Sequence, residues 1–318
     1  MVKRVLITGA GGFVGANLAR RLIGEGYEVH TILRKETSLW RIRDILNNII
    51  RHDSDLGEAR ALKMIIDEAE PDHILHLAAY GSYPRTQKDQ ARMIGTNFLG
   101  TVNLVNAAAD RSYDSFINAG SSSEYGIKDH PMTEDDVLEP VNMYGVTKAA
   151  ATLFCRTSAV TEGKPIATLR LFSAYGPWEE PMRLVPTVIA GCLAGRDVEL
   201  TSGGQTRDFI HVDDVVEAFI KAMKAKRIGG SVLNIGSGSQ HSVKEVAKRI
   251  HGLIRPDSRL LFGRRPTPGF ETECWVADNT KAKKALGWSP NLGLDEGLEG
   301  TIAWFKSHME EYRGAELA

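Results

Sequence analysis

The stretch VLITGAGGFVGANLARRL, residues 5 to 22, decides the fold. Val5 to Thr8 make a short apolar run of strand length, and after Phe13 the apolar residues recur at helical spacing. Gly9, Gly12 and Gly15 lie at the junction. A glycine turn that joins a strand directly to a helix leaves backbone N–H groups at the helix N-terminus free to hold a pyrophosphate. This context assigns Gly9, Gly12, Phe13, Val14 and Gly15 to a bound dinucleotide.

The same alternation continues outward. RVLITG, YEVHTIL, NIIRHD, HILHLAA, SFINAGS and IATLRLF read as strands, separated by amphipathic stretches such as EARALKMIIDEAE and GTVNLVNAAADRS. Strands alternating with helices predict an α/β fold, a Rossmann-type doubly wound parallel sheet with ligands at the carboxyl ends of its strands. After residue 172 prolines and glycines become frequent and the alternation weakens. The expected division is a dinucleotide-binding domain over 1–172 and a smaller α/β substrate-binding lobe over 173–318. Elements near 207–236 (RDFIHVDDVVEAFIKAM and SVLNIGSG) should return to the main sheet.

Composition excludes several classes of function. The 318 residues are 42% hydrophobic and 25% charged, with a formal net charge of −1 and no long run of one sign. Nothing here offers the electrostatic footprint of a nucleic-acid or anionic-membrane binder. The first residues enter a strand without the apolar run and cleavage site of a secretory signal, and no stretch has the length of a membrane span. Cys155, Cys192 and Cys274 are far apart, odd in number and lack metal-ligand spacing, so no metal is expected and a reducing cytoplasm is.

The second strand bears on the cofactor. NAD-binding enzymes usually end it with an acid that accepts from the adenosine ribose, whereas here Leu33 is followed by Arg34 and Lys35. A guanidinium suits a 2′-phosphate, so NADP(H) is expected, with NAD(H) the alternative. Asp53, ending the third strand, is placed to reach the adenine amino group or to cap the next helix.

NMYGVTKAAATLF puts Tyr144 and Lys148 one helical turn apart on one face. A phenol with a pKa near ~10 is a poor base at neutral pH, and a nearby ammonium stabilises its phenolate. Tyr144 can then exchange a proton with a sugar hydroxyl or carbonyl.

With these residues in place the sequence resembles the extended short-chain dehydrogenase/reductase family, in its nucleotide-sugar branch. TGAGGFVG, HLAA (His76 to Ala79), GTNFLGTVNLVNAA with Asn97, YGVTK, RLFSAYGP, RDFIHVDDV and VADNTKAKKALGWSP occur in family order over nearly the whole chain. The resemblance implies a catalytic set of Ser121, Tyr144 and Lys148. Ser121 stands four residues before Tyr125 of the YG pair at 125 and 126, and Lys148 also binds the nicotinamide ribose. It implies that Leu77, Ala78 and Ala79 flank the cofactor and that Ser122 and Ser123 face the substrate or pack locally. Arg207 would hold the substrate diphosphate, helped by Arg265 or its neighbour Arg264. Ser173 replaces the asparagine that many relatives use against the sugar nucleotide. Ser82, Tyr83, Asn142, Pro177 and Arg183 should line the sugar pocket by their position near strand ends. The implied partner is a nucleoside-diphosphate sugar, and a homodimer is expected through the helix of Tyr144 and the one around Asn97.

The residues just after Ser121 narrow the reaction. A 4,6-dehydratase needs a further acid and base, which the family this chain resembles supplies as Asp-Glu or Ser-Glu immediately after the catalytic hydroxyl, where this chain has Ser122 and Ser123. Glu124 comes one residue late, and on a strand that shift reverses the side chain's direction. Because reductases consume NADPH and Arg34 and Lys35 point to NADP(H), an NDP-4-keto-6-deoxyhexose 4-reductase is expected first and an NDP-sugar 4-epimerase, of UDP-glucose or UDP-glucuronate type, second. A dehydratase ranks third. A non-catalytic dinucleotide sensor, the reading from a different class, is opposed by the retention of Ser121, Tyr144 and Lys148.

Overall fold

The computed structural model describes residues 2–82, 87–266 and 273–315. The chain opens with β1 (Arg4–Thr8), α1 (Phe13–Gly24), β2 (Glu28–Leu33) and, after a 3₁₀ segment at Trp40–Asn48, β3 (Ile49–Asp53). α2 (Ala59–Ala69), β4 (His73–His76), α3 (Gln90–Met93), α4 (Gly100–Ala107) and β5 (Ser115–Ser121) follow. α5 (Met143–Glu162) and β6 (Ile166–Leu171) complete the first half. Each strand candidate read from the sequence is a strand.

Then come β7 (Ser173–Tyr175), α6 (Leu184–Leu193), β8 (Val198–Glu199), β9 (Thr206–Arg207), β10 (Phe209–His211), α7 (Val212–Lys224) and β11 (Val232–Ile235). The last elements are β12 (His241–Ser242), α8 (Val243–Ile254), β13 (Leu260–Leu261), α9 (Thr280–Leu286) and α10 (Leu294–Ala315).

Seven parallel strands make the central sheet in the order β11-β6-β5-β4-β1-β2-β3. Helices cover both faces, so Val5, Leu6 and Ile7 are all fully buried and the strands read as continuous apolar runs. Register aligns the carboxyl ends: Thr8 pairs with His76, His76 with Asn118, Leu33 with Asp53, and Leu171 with both Ser121 and Ile235. The winding reverses between β1 and β4, which opens a crevice above those ends.

Of the two later segments expected to rejoin the sheet, SVLNIGSG supplies β11 at its edge and the first supplies α7, which packs in the core with Ile117, Ala119 and Leu169. β10 pairs instead with β7 in a separate two-stranded ladder. The divergence begins at Phe172, whose N–H still donates to Ile235 O at 2.9 Å, while the next residue, Ser173, donates to Asp208 O at 3.0 Å. Two further small ladders, β9–β12 and β8–β13, complete the second half. Among the described residues no helix is long and apolar enough to cross a membrane.

Candidate active site

A cavity of about 890 Å³ lies over the strand ends, within the size range of ligand sites. On one side its wall is the glycine turn. Gly9 holds φ at +80°, and a Cβ there would stand 2.6 Å from Ala78 N. A Cβ at Gly15 would stand 2.2 Å from Gly9 O, so the turn can fold back onto α1 only without one. No side chain caps the helix at Gly12, which leaves its first N–H groups for a ligand. Gly9, Gly12, Phe13, Val14 and Gly15 all face the cavity, as a dinucleotide pyrophosphate would require.

Ser121 ends β5, and Tyr144 and Lys148 lie in the first two turns of α5; all three line the cavity. Asn142 caps α5, accepting from Gly145 N at 2.8 Å. A Cβ on Gly145 would fall 2.3 Å from Ser123 O, so the helix reaches the serine turn because position 145 is glycine. Lys148 is fully buried, and burial pulls its ammonium below the usual lysine range while the Glu124 charge opposes that pull.

Glu124 faces away from the cavity, as expected, but for a different reason. β5 ends at Ser121, and Ser122–Glu124 form a 3₁₀ turn rather than more strand. Glu124 Oε1 accepts from Ser121 N at 2.8 Å and Thr152 Oγ1 at 3.0 Å, and Oε2 accepts from Arg170 Nε at 2.8 Å. The carboxylate is wholly buried below the site. Ser122 Oγ accepts from Trp275 Nε1 at 3.1 Å, and Ser123 also lines the cavity.

His76 is buried beside Lys148, and its hydrogen bonds set its tautomer. Thr101 Oγ1 donates to Asn97 O, so it must accept from His76 Nε2–H at 2.9 Å. Nδ1 then accepts the Thr8 hydroxyl at 2.6 Å, and Thr8 in turn accepts from Ala78 N. Burial, helped by Lys148, pushes this imidazole down to about 3, so it stays neutral. Asn97 lies in a π-helical stretch, Ile94–Leu99, between α3 and α4. It clasps the Tyr80 backbone through both N–H and C=O and donates to Thr147 on α5.

The opposite wall is cationic. Arg207 and Arg183 face each other across it, and burial together with the Arg183 charge lowers the Arg207 pKa. Two guanidiniums brought together in the cavity wall form a site for an anion, with Arg183 reaching it from a half-exposed position. Arg207 also stacks over the Trp275 ring at 5.2 Å. Ser82, Ser173, Asn142, Leu77, Ala79 and Arg265 line the cavity, and Arg264 does not.

Other residues singled out in the sequence lie elsewhere. Arg34 and Asp53 are outside the cavity wall, paired with Glu36 at 3.2 Å and Arg51 at 2.6 Å. Ala78 lies beneath the glycine turn, and Pro177 O accepts from Asn17 Nδ2 at 2.9 Å. Tyr83 lies outside the described residues. Arg41, Glu179, Glu180 and Trp275 line the cavity without any signal in the sequence. Arg41 reaches Trp178 O at 2.7 Å, Glu180 Oε2 at 3.0 Å and Gly11 O at 3.4 Å, linking the glycine turn to the segment after Gly176.

A model of the NAD dependent epimerase/dehydratase family matches residues 5–236. The UDP-N-acetyl-alpha-D-glucosaminuronate decarboxylase of Bacillus cytotoxicus is 32% identical, over 96% of this chain and 98% of that protein. The dTDP-glucose 4,6-dehydratase of Streptomyces griseus is 29% identical, over 97% of this chain and 95% of its own length. The crystal structure of UDP-glucuronic acid 4-epimerase from Bacillus cereus, in complex with UDP-glucuronic acid and NAD, superimposes with a TM-score of 0.85 at 28% identity, covering 96% of this chain and 99% of that one. These relatives differ in reaction yet match from end to end, and what they share is this chain's family: it belongs to the NAD dependent epimerase/dehydratase family, the nucleotide-sugar branch of the extended short-chain dehydrogenases/reductases.

Proposed function

We propose that the chain is a nucleotide-sugar 4-epimerase that uses NAD and regenerates it within each turnover. The turn after Ser121 carries the reading. It presents hydroxyls at 122 and 123 and commits the nearby carboxylate to Arg170, so among the described residues of this turn no acid for elimination stands beside the proton-transfer group. Tyr144 takes the proton of the sugar C4 hydroxyl, Ser121 donates a hydrogen bond to that oxygen, and the Lys148 ammonium favours the phenolate. Bound NAD would supply the hydride acceptor at C4. After the keto-sugar turns over in the cavity, the hydride would return to its other face, Tyr144 returns the proton to the C4 oxygen, and the opposite C4 configuration results. Arg183 and Arg207, with Arg265, hold the diphosphate.

NAD is favoured over NADP because Glu36 is paired with Arg34, placing a carboxylate beside the cation that would read a 2′-phosphate. The 4-ketoreductase with NADPH is the second reading. It keeps the support of Leu33-Arg34-Lys35, a strand end with no acid for the ribose hydroxyls. A homodimer fits α5, where Val146, Leu153 and Val160 are 42%, 52% and 70% exposed at seven-residue intervals on one face.

The test is to denature the purified protein and identify the nucleotide released, then offer UDP-glucose and UDP-galactose without added cofactor. Released NAD and interconversion of the two sugars is the expected result. Turnover solely of an NDP-4-keto-6-deoxyhexose with NADPH would establish the reductase instead.

A further inference from the structure

Glu179 is a carboxyl in the cavity wall that the proposed reaction leaves unused. Its side chain is 4% exposed, and Oε1 accepts from Arg183 Nε at 3.4 Å. Oε2 is buried and accepts from no donor among the described residues. The backbone is held on both sides, since Glu179 N donates to Gly176 O at 3.3 Å and the Tyr312 hydroxyl donates to Glu179 O at 2.9 Å. The carboxyl therefore stays in the wall.

Its charged and titratable surroundings come from several elements. Arg183 caps α6, and Arg207 lies beyond it. Arg41 enters from the 3₁₀ segment and is paired with Glu180. Tyr175 of β7 and Tyr312 of α10 lie close, and the His211 ring of β10 packs on Tyr175 and Gly176. An ionised oxygen that is buried with no protein donor is unfavourable. Burial pushes the Glu179 carboxyl up to about 7, with Arg183 and Arg41 pulling the other way. A nucleoside diphosphate adds two negative charges at Arg183 and Arg207, which opposes that pull and favours the neutral acid.

We propose that Glu179 takes up one proton from solvent when a nucleoside-diphosphate sugar binds at Arg183 and Arg207, the buried carboxyl becoming neutral as the diphosphate offsets the arginine charge. No other bond is made or broken, and the proton returns to solvent on release. This rests on the nucleotide-sugar reading of the same site.

The test is titration calorimetry of the protein saturated with NAD. UDP-glucose, dTDP-glucose, CDP-glucose and GDP-mannose are each tried, and the tightest binder is measured at pH 8 in phosphate and in Tris, whose ionisation heats differ. The diphosphate diesters do not titrate in this range, so a buffer-dependent heat reports protons taken up by the protein. Wild type should take up close to one proton, and its Kd should rise about tenfold per pH unit above 7. Glu179→Gln, isosteric with the neutral acid, should bind with no uptake and a flat Kd from pH 6 to 9. Wild-type binding without buffer dependence, or uptake that persists in Glu179→Gln, overturns the proposal. If none of the four sugars binds, the nucleotide-sugar reading falls, and the proposal with it.

Discussion

The backbone N–H of Ser121 donates to the carboxylate of Glu124 at 2.8 Å, while the Ser121 hydroxyl accepts from Ser123 N at 3.2 Å. The serine at the end of β5 is thus fixed from both sides, and the acid three residues later acts as a buried brace. Breaking a buried, fully bonded ion pair from one side leaves an uncompensated charge. Glu124→Ala should destabilise the fold by about 3–5 kcal/mol in urea unfolding. Replacing Glu124 and Arg170 together by apolar residues should cost less than either change alone.

Tyr144→Phe removes the proton-transfer group and keeps the ring. The turnover rate should fall by about 10²–10⁴-fold, with bound nucleotide and KM little changed. Steady-state kinetics beside the cofactor content of the purified variant check this.

Gly15→Ala puts a methyl where 2.2 Å separates an ideal Cβ from Gly9 O. The turn must open to accommodate it, disrupting the pyrophosphate cradle. Added NAD should no longer raise the melting temperature of this variant, whereas it raises that of wild type.

Arg207→Met keeps an unbranched side chain beside Trp275 and removes the charge and its contact with the ring. The Kd for the nucleotide sugar should rise by about 10–100-fold, the loss of one to two charge-assisted hydrogen bonds.

His76 has a folded-state value near 3 against 6.5 when exposed. Below pH 6.5 the unfolded chain binds a proton there that the folded chain does not, so stability is full above 6.5 and falls with pH towards 3. The slope from this residue is about 1.4 kcal/mol per pH unit. His52 and His73, also lowered chiefly by burial, act in the same direction. Urea unfolding between pH 7 and 5 should show a slope about one proton smaller in His76→Gln than in wild type.

Much of this could be read from the chain alone because the information is local. A strand, a glycine turn and a helix are contiguous in residues 5 to 22, and Tyr144 and Lys148 share one helix face. The direction of Glu124 was legible, but its cause was not. Alternation along a strand predicts it, whereas the actual 3₁₀ turn is held by Arg170, forty-six residues on. Arg41, Glu179 and Trp275 gave no signal because they sit in segments without periodicity, placed by contacts between residues far apart in sequence. Arg41 is an example: its guanidinium meets Trp178 O across 137 positions of chain. Arg34 carried a clear local signal, and the structure pairs it with Glu36, two residues away.

The hydrogen bonds from Asn17 to Pro177 and from Arg41 to Trp178 fasten the segment leading to Arg183 onto the first helix and the glycine turn. The far rim, where Arg207 and Arg265 sit, rests on paired ladders of two residues each. The cleft is therefore built like a mussel shell, stitched along one margin. A change that opens the glycine turn is therefore expected to shift Arg183 as well, through Arg41 and the segment it holds.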